Sequence, residues 1–562
     1  MFKNTLGTQY CTVSKAEQLA KGQRDISIAE FFEKNRHLLG FDNPRKALLT
    51  TVKEAVDNAL DACEEADILP ELEVQLIDMG DDRYRVIIED NGPGIVQEQV
   101  SKIFAKLLYG SKFHKLSQSR GQQGIGISAS VMYGQLTTGR PAKITTKTGP
   151  DEEAYYCHVK IDTQKNQPEI IHATTKEWSK EQGTRIEIDL EGSYAKGNQS
   201  VDEYLKQTAI VNPHLQLVYV NPRGEQYFFP RASKELPVKA QEIKPHPYGI
   251  ELGMLIKLLS RTEQKTLLAF FREEFSRVSN NVANEICAEA KVSPKTKPAK
   301  VSRQQAEDLM KGIKKVKIMA PPTDCISPIG QELLLKGLKK EINAEFYTSV
   351  TRTPAVYRGN PFIIECGIAY GGNLKADGSA ELLRFANKVP LLYQQGGCAV
   401  TKAIGETNWK SYGLDQSGNN VPRGPVLILV HMASVWVPFT SEAKEAMAHY
   451  DDIIKEIKLC VQEAGRELKK YTKKKQSVKK ELKKRSYIEQ YLPHLAAGVN
   501  EILEGDSADE EAMVLSLTNL LEKKRGVLED MDFDPEANKE YDENFAKIGQ
   551  EDQETLEEED EQ

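Results

Sequence analysis

Glu54, Asn58 and Asp61 stand at positions i, i+4 and i+7 of a run that otherwise reads as helix, so the three share one face. A carboxylate one turn from a carboxamide suits metal-assisted hydrolysis. Glu54 can order and deprotonate a water, and Asn58 offers a hard cation a neutral oxygen that does not repel a polyphosphate. A solvated polar stripe explains the same spacing equally well. Asp57 points elsewhere. Next, Tyr84, Val86 and Ile88 alternate along a strand whose apolar face continues to Asp90. A carboxylate facing an apolar layer needs a partner. The turn Asn91-Gly92-Pro93-Gly94 follows at once, and its two glycines let a flat ring approach the backbone. An adenine amino group would satisfy Asp90; an acidic strand end capping a turn is the plainer reading.

Two glycine signals follow. Gly121-Gln122-Gln123-Gly124-Ile125-Gly126-Ile127-Ser128 leads into a helix expected to start near Ser128. Glycines before a helix N-terminus free backbone N–H groups for phosphate oxygens, aided by the helix dipole. Gly183-Thr184 opens the alternating strand Arg185-Ile186-Glu187-Ile188, where a hydroxyl can assist purine recognition, although most such pairs are turns. No Gly-Lys-Ser/Thr occurs, which excludes a P-loop.

The elements that must carry these residues are legible in outline. Asn43 is a good N-cap and Pro44 suits the first helical position, so the Glu54 helix starts there. Residues 1–228 mix amphipathic helices, alternating strands and Gly-rich loops. A stretch with four prolines follows. Residues 229–320 read as helical, with a loose Lys/Pro connector at 291–300, and residues 321–485 return to strands with helices. A long helix is expected over 441–484, a helical segment over 486–525, and an acidic tail, read as disordered, over 526–562.

Composition narrows the class. The chain is 562 residues long, 40% hydrophobic and 28% charged, ordinary for soluble globular protein. The longest apolar run, 425–439, is broken by His431, Ser434 and Pro438 and reads as a buried strand, and the first thirty residues have no signal-peptide core. A cytoplasmic protein with no membrane partner is expected. The 8 cysteines are scattered without a C-x-x-C pair, which argues against a disulfide or zinc scaffold. The net charge of -8 hides a tail, 526–562, with 16 acidic and 2 basic residues; the remainder is therefore mildly basic, at +6. Between Lys469 and Arg485 lie ten Lys or Arg, a solvated helix face or a strip beside a duplex.

The order helix with Glu54 and Asn58, strand ending at Asp90, Gly turn, Gly-rich loop, then Gly-Thr and strand resembles the GHKL superfamily of gyrase, Hsp90-type chaperones, histidine kinases and MutL. Within it, the sequence is similar to the ATP-binding (B) subunits of type IIB topoisomerases. The resemblance is carried by Ser111-Lys112-Phe113-His114, Ser119-Arg120 before the Gly-rich loop, His246-Pro247-Tyr248-Gly249-Ile250-Glu251-Leu252-Gly253, Arg384-Phe385-Ala386-Asn387-Lys388-Val389-Pro390-Leu391, and Trp436-Val437-Pro438-Phe439-Thr440-Ser441-Glu442-Ala443-Lys444.

The resemblance implies an α+β multidomain chain. It would comprise a GHKL (Bergerat) α/β sandwich ATPase over 1–228, a helix-two-turns-helix insert over 229–320, a ribosomal S5-like α/β transducer over 321–485 and a segment over 486–525 contacting an A subunit. It further implies ATP and Mg2+ as cofactors. Glu54 would be the general base, Asn58 the metal ligand and Asp90 the adenine acceptor. Gly92, Gly94 and Thr184 would complete the nucleotide site. Ser111, Lys112 and Gly121, Gln122, Gln123, Gly124, Ile125, Gly126, Ile127 and Ser128 would line the phosphates, and Lys444, read as lying at a helix start, would reach the γ-phosphate. Trp409, Lys410 and Tyr412 resemble a DNA-contacting loop. The implied activity is ATP-gated duplex passage in an A2B2 heterotetramer that self-dimerises on ATP. The alternative is a GHKL chaperone or mismatch-repair-like ATPase acting on protein partners. Glu504-Gly505-Asp506 looks like a toprim start but follows a helical run, so a cleavage metal site is not expected in this chain.

Overall fold

The computed structural model describes residues 15–525 apart from 21, 24, 113, 114, 122, 123, 442 and 503–508. The expected acidic tail, 526–562, therefore lies outside the described residues, as do the first fourteen.

Two short helices, α1 (Lys15–Ala20) and α2 (Ile28–Lys34), precede α3 (Pro44–Glu65). The side chain of Asn43 accepts the Lys46 N–H at 2.9 Å and Pro44 occupies the first turn, so α3 begins where its cap residues place it. One face of α3 buries Leu48, Val52, Val56 and Leu60 in the first core. Beneath lie β1 (Glu71–Asp78) and β2 (Arg83–Asp90), then α4 (Gln97–Ala105), α5 (Gly126–Thr138), β3 (Ala142–Lys147), β4 (Ala154–Asp162), β5 (Gln167–Lys176), β6 (Gly183–Glu191), α6 (Val201–Val211), β7 (Gln216–Val220) and β8 (Gln226–Phe229). The eight strands form one sheet in the order β5-β4-β3-β6-β2-β1-β7-β8, antiparallel except for the β1–β7 pair. Helices α3, α4 and α5 pack on it, a two-layer arrangement that brings the end of β2 beside the last turns of α3, at Ala62 and Cys63.

A helical unit follows: α7 (Leu252–Arg261), α8 (Leu267–Glu274), α9 (Asn280–Glu289) and α10 (Arg303–Lys315). It closes its own core around Leu255, Phe270, Phe271, Ile286 and Leu309. The third unit holds α11 (Gln331–Glu341), β9 (Phe346–Thr351), β10 (Ala355–Tyr357), β11 (Asn360–Tyr370), β12 (Glu381–Ala386), β13 (Val389–Pro390), α12 (Ala399–Gly405) and β14 (Val426–Ser434). Its sheet runs β10-β11-β14-β12-β13, with β9 also on β11. Every residue of β14 is buried, which is why that run is too apolar for a surface strand.

The long helix departs from its expected limits. Residues 443–450 are irregular, and α13 runs unbroken from Asp451 to Ile502 before α14 (Glu510–Arg525) packs against it. The boundary drawn at 485 thus falls inside a helix. The lysine-rich stretch continues the helix because Lys is a good helix former and nothing there breaks it; even Pro493 is accommodated.

Candidate active site

A cavity of about 650 Å³ opens between α3, the end of β2 and the loop entering α5. Glu54, Asn58, Asp90, Gly94, Ser111, Lys112, Gly121, Gly124, Ile125, Gly126, Ile127, Thr184 and Lys444 all line it. Gly92 and Ser128 do not. Gly92 acts on the site through Asp90, and Ser128 is buried with its hydroxyl donating to the Ile125 carbonyl at 2.9 Å. Gln122 and Gln123 lie outside the described residues, as do Phe113, His114 and Glu442 of the motifs that flank the site.

Asp90 forms the floor. Its Oδ1 accepts the N–H groups of Gly92 at 2.9 Å and Thr184 at 3.1 Å. Burial pushes its carboxyl up to about 6 against the pull of those two bonds. Oδ2 accepts no bond from the described residues, which fits the second oxygen to an external N–H donor. Thr184 Oγ1 lies 3.2 Å from Thr146 Oγ1, and Thr146 in turn accepts the Ile95 N–H at 2.8 Å. Apolar walls from Ile95, Ile103, Phe104 and Ile186 complete a slot suited to a flat ring. Two glycines leave no free space for a side chain, Gly94 against backbone and Gly126 against the Glu54 carboxylate. A Cβ on Gly94 (φ +70°) would lie 2.1 Å from the Lys147 carbonyl oxygen, and one on Gly126 would lie 1.7 Å from Glu54 Oε2.

Glu54 thus faces the N-terminus of α5 directly, and Asn58, exposed in the cavity, holds Oδ1 within 3.4 Å of where a Gly121 side chain would begin. Free amides at a helix start, a carboxylate and a neutral amide oxygen converge there. Lys112 Nζ lies 2.7 Å from Asp61 Oδ2 and 2.8 Å from Glu65 Oε1. Burial alone would lower its pKa, but those carboxylates hold it above the usual lysine value.

Lys444 arrives from the third unit. It does not stand at a helix start, as its sequence suggested. It sits in a loop with φ +54°, seven residues before α13, and its Nζ donates to the Arg120 carbonyl at 3.0 Å. Burial pushes its pKa down against the attraction of Glu54. The adjacent Glu445 pairs with Lys46 of α3, so this loop is fastened to the first unit.

Sequence reasoning assigned no role to Arg120. Its buried guanidinium donates to Asp61 at 2.8 Å, to Glu64 at 2.6 and 2.9 Å, and to Asn212 at 2.6 Å. Desolvation opposes its charge, yet these carboxylates hold it firmly protonated. Position next to Gly121 was the available signal; the partners, scattered from 61 to 212, were not.

The expected DNA loop is corrected in one residue. Trp409 is fully buried, with Nε1 donating to the Ile404 carbonyl at 2.9 Å, and serves the core of the third unit. The 3-10 turn Trp409–Tyr412 sends the indole inward and leaves Lys410 exposed. Tyr412 is half-buried, its ring lying against Gly465 of α13.

Among the described residues no helix is long and apolar enough to cross a membrane, and the seven cysteines there are buried and free of disulfides. Residues 43–192 match the family model described as "Histidine kinase-, DNA gyrase B-, and HSP90-like ATPase", and residues 321–484 match "Topoisomerase VI B subunit, transducer". The chain is 52% identical over 508 residues to the B subunit of type 2 DNA topoisomerase 6 from Methanococcoides burtonii, covering 90% of this chain and 82% of that one. It is 47% identical over 507 residues to the corresponding protein of Archaeoglobus fulgidus (90% and 84% covered). With that of Pyrococcus horikoshii it shares 37% over 564 residues (91% and 97% covered). The nucleotide-type cavity, the second α/β unit and these relatives agree, and the chain belongs to the family of type 2 DNA topoisomerase 6 B subunits.

Proposed function

We propose that ATP binding by this chain drives its self-dimerisation, and that hydrolysis gates capture and passage of double-stranded DNA through a break made by an A subunit in an A2B2 assembly. The result is ATP-dependent relaxation and decatenation in the cytoplasm. The observation that carries this reading is the convergence of Glu54, Asn58 and Asp90 from one unit and Lys444 from another on one cavity.

In this reading Asp90 accepts the adenine amino group, and the N–H groups of Gly121 through Ile127 take the phosphate oxygens. Glu54 takes a proton from the attacking water. Lys444 meets the terminal phosphate and links its presence to the position of the third unit. Mg2+ would supply charge neutralisation on the phosphates. Asn58 fits it as a single protein ligand, since no group of three His, Cys, Asp or Glu among the described residues could hold a metal unaided. The partner surface for the A subunit is the exposed stripe Tyr487, Tyr491 and Leu495 at four-residue spacing on α13, extended by Ile502. The lysines from Lys469 to Lys484 on the same helix, with Lys410, suit a duplex backbone. The relatives favour this reading over a chaperone or repair ATPase.

The test is reconstitution with an A subunit. Relaxation of supercoiled plasmid should require ATP and be lost in Glu54→Ala, which still binds nucleotide. ATP-independent relaxation, or unchanged turnover in Glu54→Ala, would refute the assignment.

A further inference from the structure

A second cavity, of about 340 Å³, shares Glu65, Ser111 and Lys112 with the first as common lining. Four parts of the chain enclose it: the end of α3, the loop through Arg120, the linker Pro237–Ala240, and Ser327, Asn387 and Lys388 of the transducer. It is therefore bounded by both units that the nucleotide is proposed to couple.

Its charges are unevenly satisfied. Three carboxylates face it, and each already has an ion pair, the three sharing two cations: Asp61 with Lys112 and Arg120, Glu64 with Arg120, Glu65 with Lys112. At the linker, Lys239 is paired with Asp67. Lys388 is different. It is 3% exposed, and the one hydrogen bond its Nζ makes among the described residues is to the neutral Ser327 hydroxyl at 3.1 Å. An ammonium carries three donors and is costly to bury without an anionic partner. Burial depresses its pKa although Glu64 and Glu365 attract its charge from a distance. Lys115, exposed on the same cavity, has no ion pair among the described residues. A cation would find its carboxylates already occupied, whereas an oxyanion would find two lysines, Lys115 and Lys388, and the serine hydroxyls of the lining, Ser111 and Ser327 among them.

We propose that this cavity is a second oxyanion site that takes inorganic phosphate between the ATPase and transducer units. It rests on the reading of the neighbouring cavity as an ATP-hydrolysing site, because that site is the source of the phosphate. A phosphate held there would touch Lys388 on one unit and Lys115 on the other, adding an ionic link to the Gln118–Ser327 bonds that already join the two units at this cavity.

The test titrates orthophosphate into the full chain saturated with Mg2+ and the β,γ-imido analogue of ATP, which fills the γ-phosphate position of the first cavity. Calorimetry at constant ionic strength, with chloride as control, reads the binding. One phosphate per chain is expected. The affinity should fall at least tenfold in Lys388→Met and several-fold in Lys115→Met, and Lys388→Arg should restore it. No phosphate bound to the filled complex, or an affinity unchanged from the parent in both methionine variants, overturns the proposal. Should Lys388→Met not fold, the exposed Lys115 variant decides. Failure of the analogue itself to bind would refute the ATP reading instead, and the same titration without analogue would then decide the phosphate site.

Discussion

Gly126→Ala separates the chemistry of this site from its stability. The added methyl would begin 1.7 Å from Glu54 Oε2, 2.3 Å from its carboxyl carbon and 2.9 Å from Cγ, so its three nearest neighbours all belong to one flexible side chain. An ordinary contact needs about 3.4 Å, so the carboxylate must retreat by about 1.7 Å. A long side chain swings away cheaply, and Ala is favoured over Gly in a helix by up to about 1 kcal/mol. The fold should therefore hold or gain slightly. Catalysis should not, because a misplacement of about 1 Å in a reacting group costs on the order of 10²-fold. That loss corresponds to about 2.7 kcal/mol of transition-state stabilisation. Steady-state hydrolysis, nucleotide affinity and a urea melt on the same preparation form the assay. We expect kcat to fall by about 10²-fold, with affinity and melt little changed. A kcat within threefold of the parent would show that Glu54 does not act from the position seen here.

Further outcomes follow from the same geometry. Asp90→Asn replaces the free acceptor with a donor and should abolish nucleotide binding. It should also stabilise the fold at neutral pH, because a carboxyl raised from 3.8 to about 6 is costly when ionised. Its stabilising contribution is fully present below the unfolded value and is lost as pH rises through about 6, so the gain is on the order of 2–3 kcal/mol by thermal melt. For the same reason the parent should lose ATP affinity as pH falls below about 6; an affinity flat from pH 5 to 7.5 would contradict the assigned acceptor. Mg2+ alone should leave the melting temperature unchanged and raise it only with the ATP analogue, a dependence that Asn58→Ala removes. Trp409→Ala should cost about 3–5 kcal/mol in a urea melt without changing the salt slope of DNA binding, whereas Lys410→Met should lower that slope by about 1 with normal stability.

What the sequence disclosed was local. The cap Asn43-Pro44, the shared face of Glu54 and Asn58, and the strand ending at Asp90 are set by periodicities of a few residues, and each element lies where its pattern puts it. The readings that failed depended on context. An aromatic–lysine–aromatic pattern is the same whether the 3-10 turn beneath it faces in or out, and only packing sends Trp409 to the core. A helix is expected from Ser441, yet the chain there is tied down by Lys46–Glu445 and the Thr440–Ala446 backbone bond, and the helix starts only at Asp451. The buried charges Arg120 and Lys388 were invisible for a third reason. A charged residue gains a buried role only from partners that the fold delivers, here Asp61, Glu64, Asn212 and Ser327.

The most direct measurement is an experimental structure of the full chain with Mg2+ and the β,γ-imido ATP analogue. We expect the adenine amino group on Asp90 Oδ2, the triphosphate against the amides of Gly121 to Ile127, the metal on Asn58 Oδ1 and Lys444 Nζ moved from the Arg120 carbonyl to the γ-phosphate. A nucleotide bound outside this cavity, or one that leaves Asp90 and Lys444 untouched, would contradict the account.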